Sequence, residues 1–182
     1  AGAPGPAYWQ QRADYEISVV LNDEDQTISG NETITYYNHS PSTLNFLWIQ
    51  LDQNVRAKDA DKYKINERFY AGYSVDAKRL PHLTFDADFD GGFRIISIED
   101  MEGNGLSFHR VKTMMRIDLP APLKSGSVVK FKIDWNYLIG NRRDDDERSG
   151  YEYFPEDDNY LFTIAQFYPR MAVFDDFNGW QN

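Results

Sequence analysis

Residues 129–137 read Val-Lys-Phe-Lys-Ile-Asp-Trp-Asn-Tyr, so apolar and polar side chains alternate without a break. Successive side chains of a β-strand point to opposite faces, and a period of two therefore separates a core face from a solvent face. The pattern predicts a half-buried strand. Its expected inward face consists of Val129, Phe131, Ile133, Trp135 and Tyr137.

Shorter strand patterns lie on both sides of this stretch, and no long amphipathic helix is present. Alternation predicts a strand from Tyr15 to Leu21 and another from Ile28 to Tyr37, in which Gly30 indicates a β-bulge. Further strands are expected at 44–51, 93–98, 106–109 and 115–119, and residues 120–126 are expected to form a loop. The predicted fold class is all-β, an antiparallel β-sandwich or a saddle-like pair of sheets. Residues 52–83 have a weak pattern and are interpreted as one long irregular excursion.

The run from Tyr160 to Trp180 is unusually rich in aromatic residues. It begins as a strand that is apolar on both faces, which predicts a strand covered from two sides. Gln166 interrupts this strand and Pro169 is expected to end its hydrogen-bond ladder. Because a domain seldom ends on a buried strand and an aromatic connection, we expect the chain to be one part of a longer protein.

Composition limits the classes of partner. The formal net charge of −10 opposes binding to nucleic acids or to anionic membranes, both of which require a basic surface. The absence of cysteine removes disulfides, thiol nucleophiles and thiolate zinc sites. No run of 18 apolar residues is present, so no membrane span is predicted.

Four segments together resemble one enzyme family. They are Tyr8-Trp-Gln-Gln, Asn38-His-Ser-Pro-Ser-Thr-Leu, Pro122-Leu-Lys-Ser-Gly, and Thr163-Ile-Ala-Gln-Phe-Tyr-Pro-Arg with Phe174-Asp-Asp-Phe-Asn-Gly-Trp. In order and spacing they resemble the N-terminal β-domain of zinc aminopeptidases of the aminopeptidase N and leukotriene hydrolase family, in its bacterial branch. The family's HExxH zinc motif is not found in these residues. The resemblance therefore implies that the zinc and the catalytic domain belong to polypeptide outside this chain.

The resemblance also implies roles for two residues. Gln166 matches the glutamine that reaches from the N-terminal domain into the cleft and binds the peptide substrate, a task for which an uncharged amide is well suited. The alternative for Gln166 is a buried amide that satisfies backbone groups at a strand end. Tyr168 departs from the family, where an acidic or amide side chain often holds the substrate's α-amino group. A phenol is a weaker partner for an ammonium group, so Tyr168 is either a substrate contact or a packing residue.

The sequence contains one candidate metal motif. Asp86, Asp88 and Asp90 alternate before a glycine as in a calcium-binding loop, but position 12 is Ser97 instead of the bidentate glutamate. A solvated acidic turn is the simpler interpretation. The three histidines, at 39, 82 and 109, are far apart in sequence, and we expect no zinc site within the chain.

These observations lead to a functional hypothesis with two alternatives. Residues 1–7 are expected to form a flexible tail, and residues 8–182 the non-catalytic N-terminal domain of an aminopeptidase-like metallopeptidase. That domain would pack on its catalytic domain and contribute to the peptide-binding cleft, without peptidase activity of its own. The small, proline-rich tail fits both the spacer left after signal-peptide cleavage and an ordinary frayed tail. The resemblance to the bacterial branch, which is typically exported, implies the periplasm or cell envelope.

One alternative is a catalytically inactive relative, whose reading frame continues but whose zinc ligands are substituted. The other alternative is a freestanding β-sandwich module that binds carbohydrate or protein through its aromatic residues, among them Trp9, Trp48, Trp135 and Trp180.

Overall fold

The chain folds into two four-stranded antiparallel sheets that pack face to face, which confirms the predicted all-β sandwich. The computed structural model describes residue 5 and residues 8–61, 89–142 and 149–181. The first sheet consists, from one edge to the other, of β1 (Arg12–Asn22), β2 (Thr27–Tyr37), β7 (Val128–Leu138) and β4 (Arg94–Asp100). The second sheet consists of β10 (Arg170–Met171), β3 (Leu44–Gln50), β6 (Met114–Leu123) and β5 (Phe108–Val111).

Two small hairpins and one helical turn complete the described structure. The first hairpin pairs β8 (Gly150–Phe154) with β9 (Asn159–Thr163), and the second pairs β11 (Val173–Asp175) with β12 (Gly179–Gln181). A 3-10 helix at Asp52–Arg56 opens the predicted excursion. Its buried Asn54 accepts a hydrogen bond from the amide of Phe93 and donates one to the carbonyl of Lys112. This part of the excursion is therefore built into the body of the domain.

Both sheets contribute to one continuous core. The first sheet supplies Phe131, Ile133, Trp135 and Tyr137, as the period of two predicted, whereas Val129 is half-buried. The second sheet supplies Leu47, Ile49, Met115 and Ile117. The ring of Phe93 meets those of Trp135 and Tyr137 edge to face at 5.5 and 5.2 Å between centroids, a favourable arrangement for aromatic quadrupoles.

The β-bulge predicted at Gly30 is wrong. β2 stays in uninterrupted register with both neighbours, and Gly30 lies opposite Val19 on β1 and Trp135 on β7. The glycine is needed for space, because a Cβ atom there would lie 2.4 Å from Cζ2 of the Trp135 indole. The aromatic ring thus occupies the volume that a side chain at position 30 would need.

The loop predicted at residues 120–126 is partly wrong. β6 continues to Leu123, which lies opposite Leu44 on β3. The register shifts between that pair and the pair of Phe46 with Asp118. Pro120 and Pro122 fall within the irregular part, where a strand tolerates residues that cannot donate a ladder hydrogen bond.

The doubly covered strand predicted from Tyr160 to Phe167 is also wrong. β9 ends at Thr163 and, among the described strands, pairs only with β8; its residues Tyr160 and Leu161 are exposed. The chain then turns and re-enters the second sheet as β10, beyond Pro169. An apolar run of this length did not distinguish a buried strand from a hairpin whose aromatic residues cover one another.

Two further predictions concern residues at the limits of the described structure. Most of the predicted tail and most of the 52–83 excursion lie outside the described residues. Within the described part of the chain, none of the helices combines the length and the apolar character needed to cross a membrane.

Candidate functional site: the Gln166 turn

Gln166 lies on the turn that connects the β8–β9 hairpin to the second sheet. Its side chain is exposed, so the alternative of a buried amide is not what the structure shows. Its backbone has a φ of 51°, in the left-handed region that side chains with a Cβ atom seldom adopt. A non-glycine residue keeps this conformation only where its surroundings impose it, so the contacts of this turn are informative.

Gln53, in the 3-10 helix, binds the backbone of the Gln166 turn. Its side-chain amide donates hydrogen bonds to the carbonyl oxygens of Ala165, at 2.8 Å, and Gln166, at 3.1 Å. Gln53 is only 2% exposed, and its own Oε1 accepts a hydrogen bond from Arg56 at 2.9 Å. The amide is thus oriented on both sides, and it fixes two consecutive carbonyl groups of the turn.

Ser149 holds the same turn from the side of the β8–β9 hairpin. Its hydroxyl oxygen accepts a hydrogen bond from the amide of Ala165 at 3.0 Å. Both backbone polar groups of Ala165 are therefore bonded, one to Gln53 and one to Ser149. The backbone is anchored while the Gln166 side chain remains exposed, which suits a group that must offer an amide to a ligand in a fixed position.

Tyr168 has the surroundings of a packing residue. Its half-buried ring meets Tyr15 and Phe167 edge to face, at 5.4 and 5.1 Å between centroids. The Tyr15 hydroxyl accepts a hydrogen bond from the amide of Met171, and burial raises the pKa of Tyr15 to about 12. These contacts link β1 to the start of β10, and they give Tyr168 a structural role that needs no substrate.

An ion pair fixes the chain immediately after Tyr168. Nε of Arg170 lies 2.7 Å from Oδ2 of Asp52, and a second guanidinium nitrogen lies 3.3 Å from Oδ1. The hydrogen bond to Asp52 raises the pKa of Arg170 above its ordinary value. Because Asp52 and Gln53 are consecutive, the 3-10 helix holds both ends of the Gln166 turn.

Exposed apolar side chains lie on both hairpins. Four aromatic rings contact one another along one face of the β8–β9 hairpin: Tyr151, Tyr153, Tyr160 and Phe162. Tyr153 and Tyr160, the pair nearer the hairpin turn, are exposed. At the tip of the β11–β12 hairpin, Phe177 is 90% exposed. Its amide and that of Asn178 donate hydrogen bonds to Oδ1 of Asp175, so the turn that carries Phe177 is ordered.

The candidate calcium ligands are only partly described. Asp86 and Asp88 lie outside the described residues, whereas Asp90 accepts hydrogen bonds from the amides of Lys58 and Gly92, both at 3.2 Å. In residues 5, 8–61, 89–142 and 149–181, no three His, Cys, Asp or Glu side chains are grouped so as to hold a metal ion. The described carboxylate of Asp90 acts as a turn-stabilising acceptor.

The sequence motif singled out Gln166 as a candidate but did not indicate the residues that position it. Gln53 was assigned to an irregular excursion, and its acceptor at Ala165 is 112 positions away in sequence. No local pattern marks such a pair. No sequence pattern indicates Ser149 either, because its contact with Ala165 also forms only on folding.

Comparison with known proteins gives no further assignment. The chain matches no protein-family model, and no curated protein matches it.

Proposed function

We propose that this chain is the non-catalytic N-terminal domain of a zinc-dependent, aminopeptidase-like metallopeptidase. It packs on the catalytic domain and presents Gln166 to the peptide in the cleft. One observation supports this proposal above the others: the Gln166 side chain is exposed on a backbone that Gln53 and Ser149 anchor. Zinc belongs to the catalytic domain, and this chain supplies no ligand to it.

The role of Gln166 follows from its chemistry. A side-chain amide offers two donors and one acceptor, so it can bind the polar backbone of a peptide without the cost of desolvating a charge. Anchoring by Gln53 lowers the entropy lost when the peptide binds, because the turn is already ordered. Tyr168 packs against Tyr15 and Phe167, so the proposal assigns the main substrate contact to Gln166.

The proposal also assigns a partner to the exposed apolar groups. The candidates for contact with the catalytic domain are Phe177, Tyr153 and Tyr160. Exposed aromatic side chains on ordered turns are typical anchors of protein interfaces. Localisation to the periplasm or cell envelope remains part of the proposal.

The test uses the longer protein. Its reading frame beyond Asn182 should encode HExxH, and the purified protein should release N-terminal residues from short peptides in a chelator-sensitive reaction. Gln166→Ala should lower kcat/KM by up to about tenfold, the value of one hydrogen bond to substrate, while Gln10→Ala at another exposed glutamine should not. Unchanged kcat/KM in Gln166→Ala would remove the proposed role.

A freestanding binding module remains the second candidate because Tyr153 and Tyr160 form an exposed pair, with 4.9 Å between ring centroids. Aromatic platforms of this kind bind sugar rings. The tryptophans give less support, since Trp135 is buried and Trp9, Trp48 and Trp180 are half-buried. Titration with oligosaccharides, followed by tyrosine fluorescence, separates the candidates: saturable quenching that is lost in Tyr160→Ala favours the module.

A further inference from the structure

The first sheet has one edge that differs from the other sheet edges. β1 is eleven residues long and pairs with β2 without a register shift. Within the described part of the chain, no strand is hydrogen-bonded to its outer side. An unpaired edge of this length exposes a row of backbone donors and acceptors that can pair with another strand.

The remaining edges carry the features that usually prevent such pairing. β4 has a register shift between Ile95 and Ser97, and its outer side is partly occupied by a bridge from Glu99 to Gly105. β5 has four residues and β10 has two. Of the edges in the described residues, β1 is therefore the one best suited to receive a strand.

The second half of β1 is also apolar and uncharged. Residues 17–21 read Ile-Ser-Val-Val-Leu. Val19 and Leu21 lie opposite Gly30 and Ile28, on the face that the sandwich buries elsewhere, yet they are 40% and 43% exposed. On the outer face, Val20 is 67% exposed. The core face of the sheet thus continues to this edge, where none of the described residues buries Val19 or Leu21.

We propose that this edge pairs with β1 of a second copy of the chain, antiparallel and about a two-fold axis at Val19. A two-fold axis perpendicular to a sheet requires antiparallel pairing and gives one continuous eight-stranded sheet, four strands from each copy. In this register Val19 faces its own symmetry mate, and Ile17 faces Leu21 of the second copy. The apolar side chains on this face, Ile17, Val19 and Leu21, then lie next to those of the second copy.

Between residues 16 and 22 the charge pattern is compatible with this register. Ser18 faces Val20 of the second copy and Glu16 faces Asn22, so no charged residue in this range faces a like charge. Beyond it Asp14 approaches Glu24 of the second copy, and this like-charge pair limits the favourable pairing to residues 16–22. Glu16 is also paired within its own chain, 3.3 Å from Nζ of Lys130. The net charge of −10 on each copy still opposes association over longer distances. Dimer formation should therefore strengthen as added salt screens that repulsion. This inference is independent of the proposed peptidase role.

Analytical ultracentrifugation over a range of protein and salt concentrations tests the proposal. The natural chain should show a reversible monomer–dimer equilibrium that shifts toward dimer with salt. Val19→Lys and Val19→Glu should each weaken self-association at least about tenfold, because each places two like charges opposite one another. A mixture of the two variants should form a heterodimer, since lysine then faces glutamate.

Two controls make the result specific. Ile96→Lys introduces the same charge at a 65% exposed position on the β4 edge and should leave the dimer intact. Circular dichroism should show that every variant is folded. A natural chain that stays monomeric at all concentrations and salt levels overturns the proposal. So does a dimer that Val19→Lys leaves unchanged, or a mixture of the two Val19 variants that stays monomeric.

Discussion

At the scale of single residues, Glu32 places a carboxyl group in the apolar interior of the sandwich. It is 1% exposed and faces Ile17 and Ile133 on the neighbouring strands, and neither carboxyl oxygen has a hydrogen-bond partner among the residues that the structure describes. Burial raises its pKa from the ordinary 4.5 to about 9. The carboxyl group is therefore protonated in the folded protein at neutral pH and ionised in the unfolded chain.

This difference predicts a pH-dependent stability. Because the folded pKa lies above the unfolded one, the free energy of unfolding falls as pH rises from 4.5 toward 9, by about 1.4 kcal/mol per pH unit from this group. For a domain of this size that is about 4 °C in Tm per pH unit. Glu32→Gln should flatten the Tm profile between pH 6 and 9, whereas Glu102→Gln, at an exposed turn, should keep the natural slope. Equal slopes in the natural chain and Glu32→Gln would show that Glu32 is not the group that makes Tm depend on pH.

Gly30 gives a second prediction at this scale. Gly30→Ala places a methyl group 2.4 Å from the Trp135 ring, which is buried and cannot move without disturbing the core. We expect the free energy of unfolding to fall by about 1–3 kcal/mol, the usual cost of overpacking. Chemical denaturation measures it, with Gly105→Ala as the control because no atom lies within 4 Å of its added Cβ. Trp135→Phe in the Gly30→Ala background should recover part of the loss.

At the scale of secondary-structure elements, the short 3-10 helix controls the Gln166 turn. Gln53→Ala removes the donor of the Gln166 carbonyl and leaves the Ala165 carbonyl with the longer hydrogen bond from the Ser149 hydroxyl, at 3.5 Å. Each lost hydrogen bond costs about 1 kcal/mol. The turn should open more often, so the Ala165 amide should exchange with solvent faster while amides of β7 keep their rate. Ser149→Ala, which removes the acceptor of that amide, should act in the same direction. Slow exchange at Ala165 in Gln53→Ala would mean that Ser149 alone holds the turn.

The elements also show how far sequence predicts this structure. β7 could be predicted because alternation is a local property that records which face is buried, and Phe131 to Tyr137 follow it. The run from Tyr160 could not, since aromatic residues that cover one another on a hairpin have the same composition as a buried strand. Gln166 became a candidate through its motif. Its anchor Gln53 was not, because that contact exists only after the two parts of the chain have been brought together by folding.

At the scale of the whole molecule, the described structure consists of a sandwich with a shared core and the β8–β9 hairpin, whose half-buried Tyr151 and Phe162 pack against that core. β2 and β7 lie inside the first sheet and contribute fully buried side chains, whereas Gly150 is the only buried residue on β8 and β9 among the described positions. Local opening requires little free energy where few apolar groups are buried. The hairpin is therefore expected to open without unfolding the sandwich.

Native-state hydrogen exchange at increasing denaturant should reveal these two levels of stability. Amides of β2 and β7 should exchange only through global unfolding, with a strong denaturant dependence, and those of β8 and β9 through local opening with a weak one. Gly30→Ala should then lower the protection of β2 and β7 by the full loss of global stability and leave the hairpin unchanged, because local opening does not pass through the unfolded core. Equal loss of protection in the hairpin and in β7 would instead make the hairpin part of the same cooperative unit, and the Gln166 turn next to it would be as stable as the core.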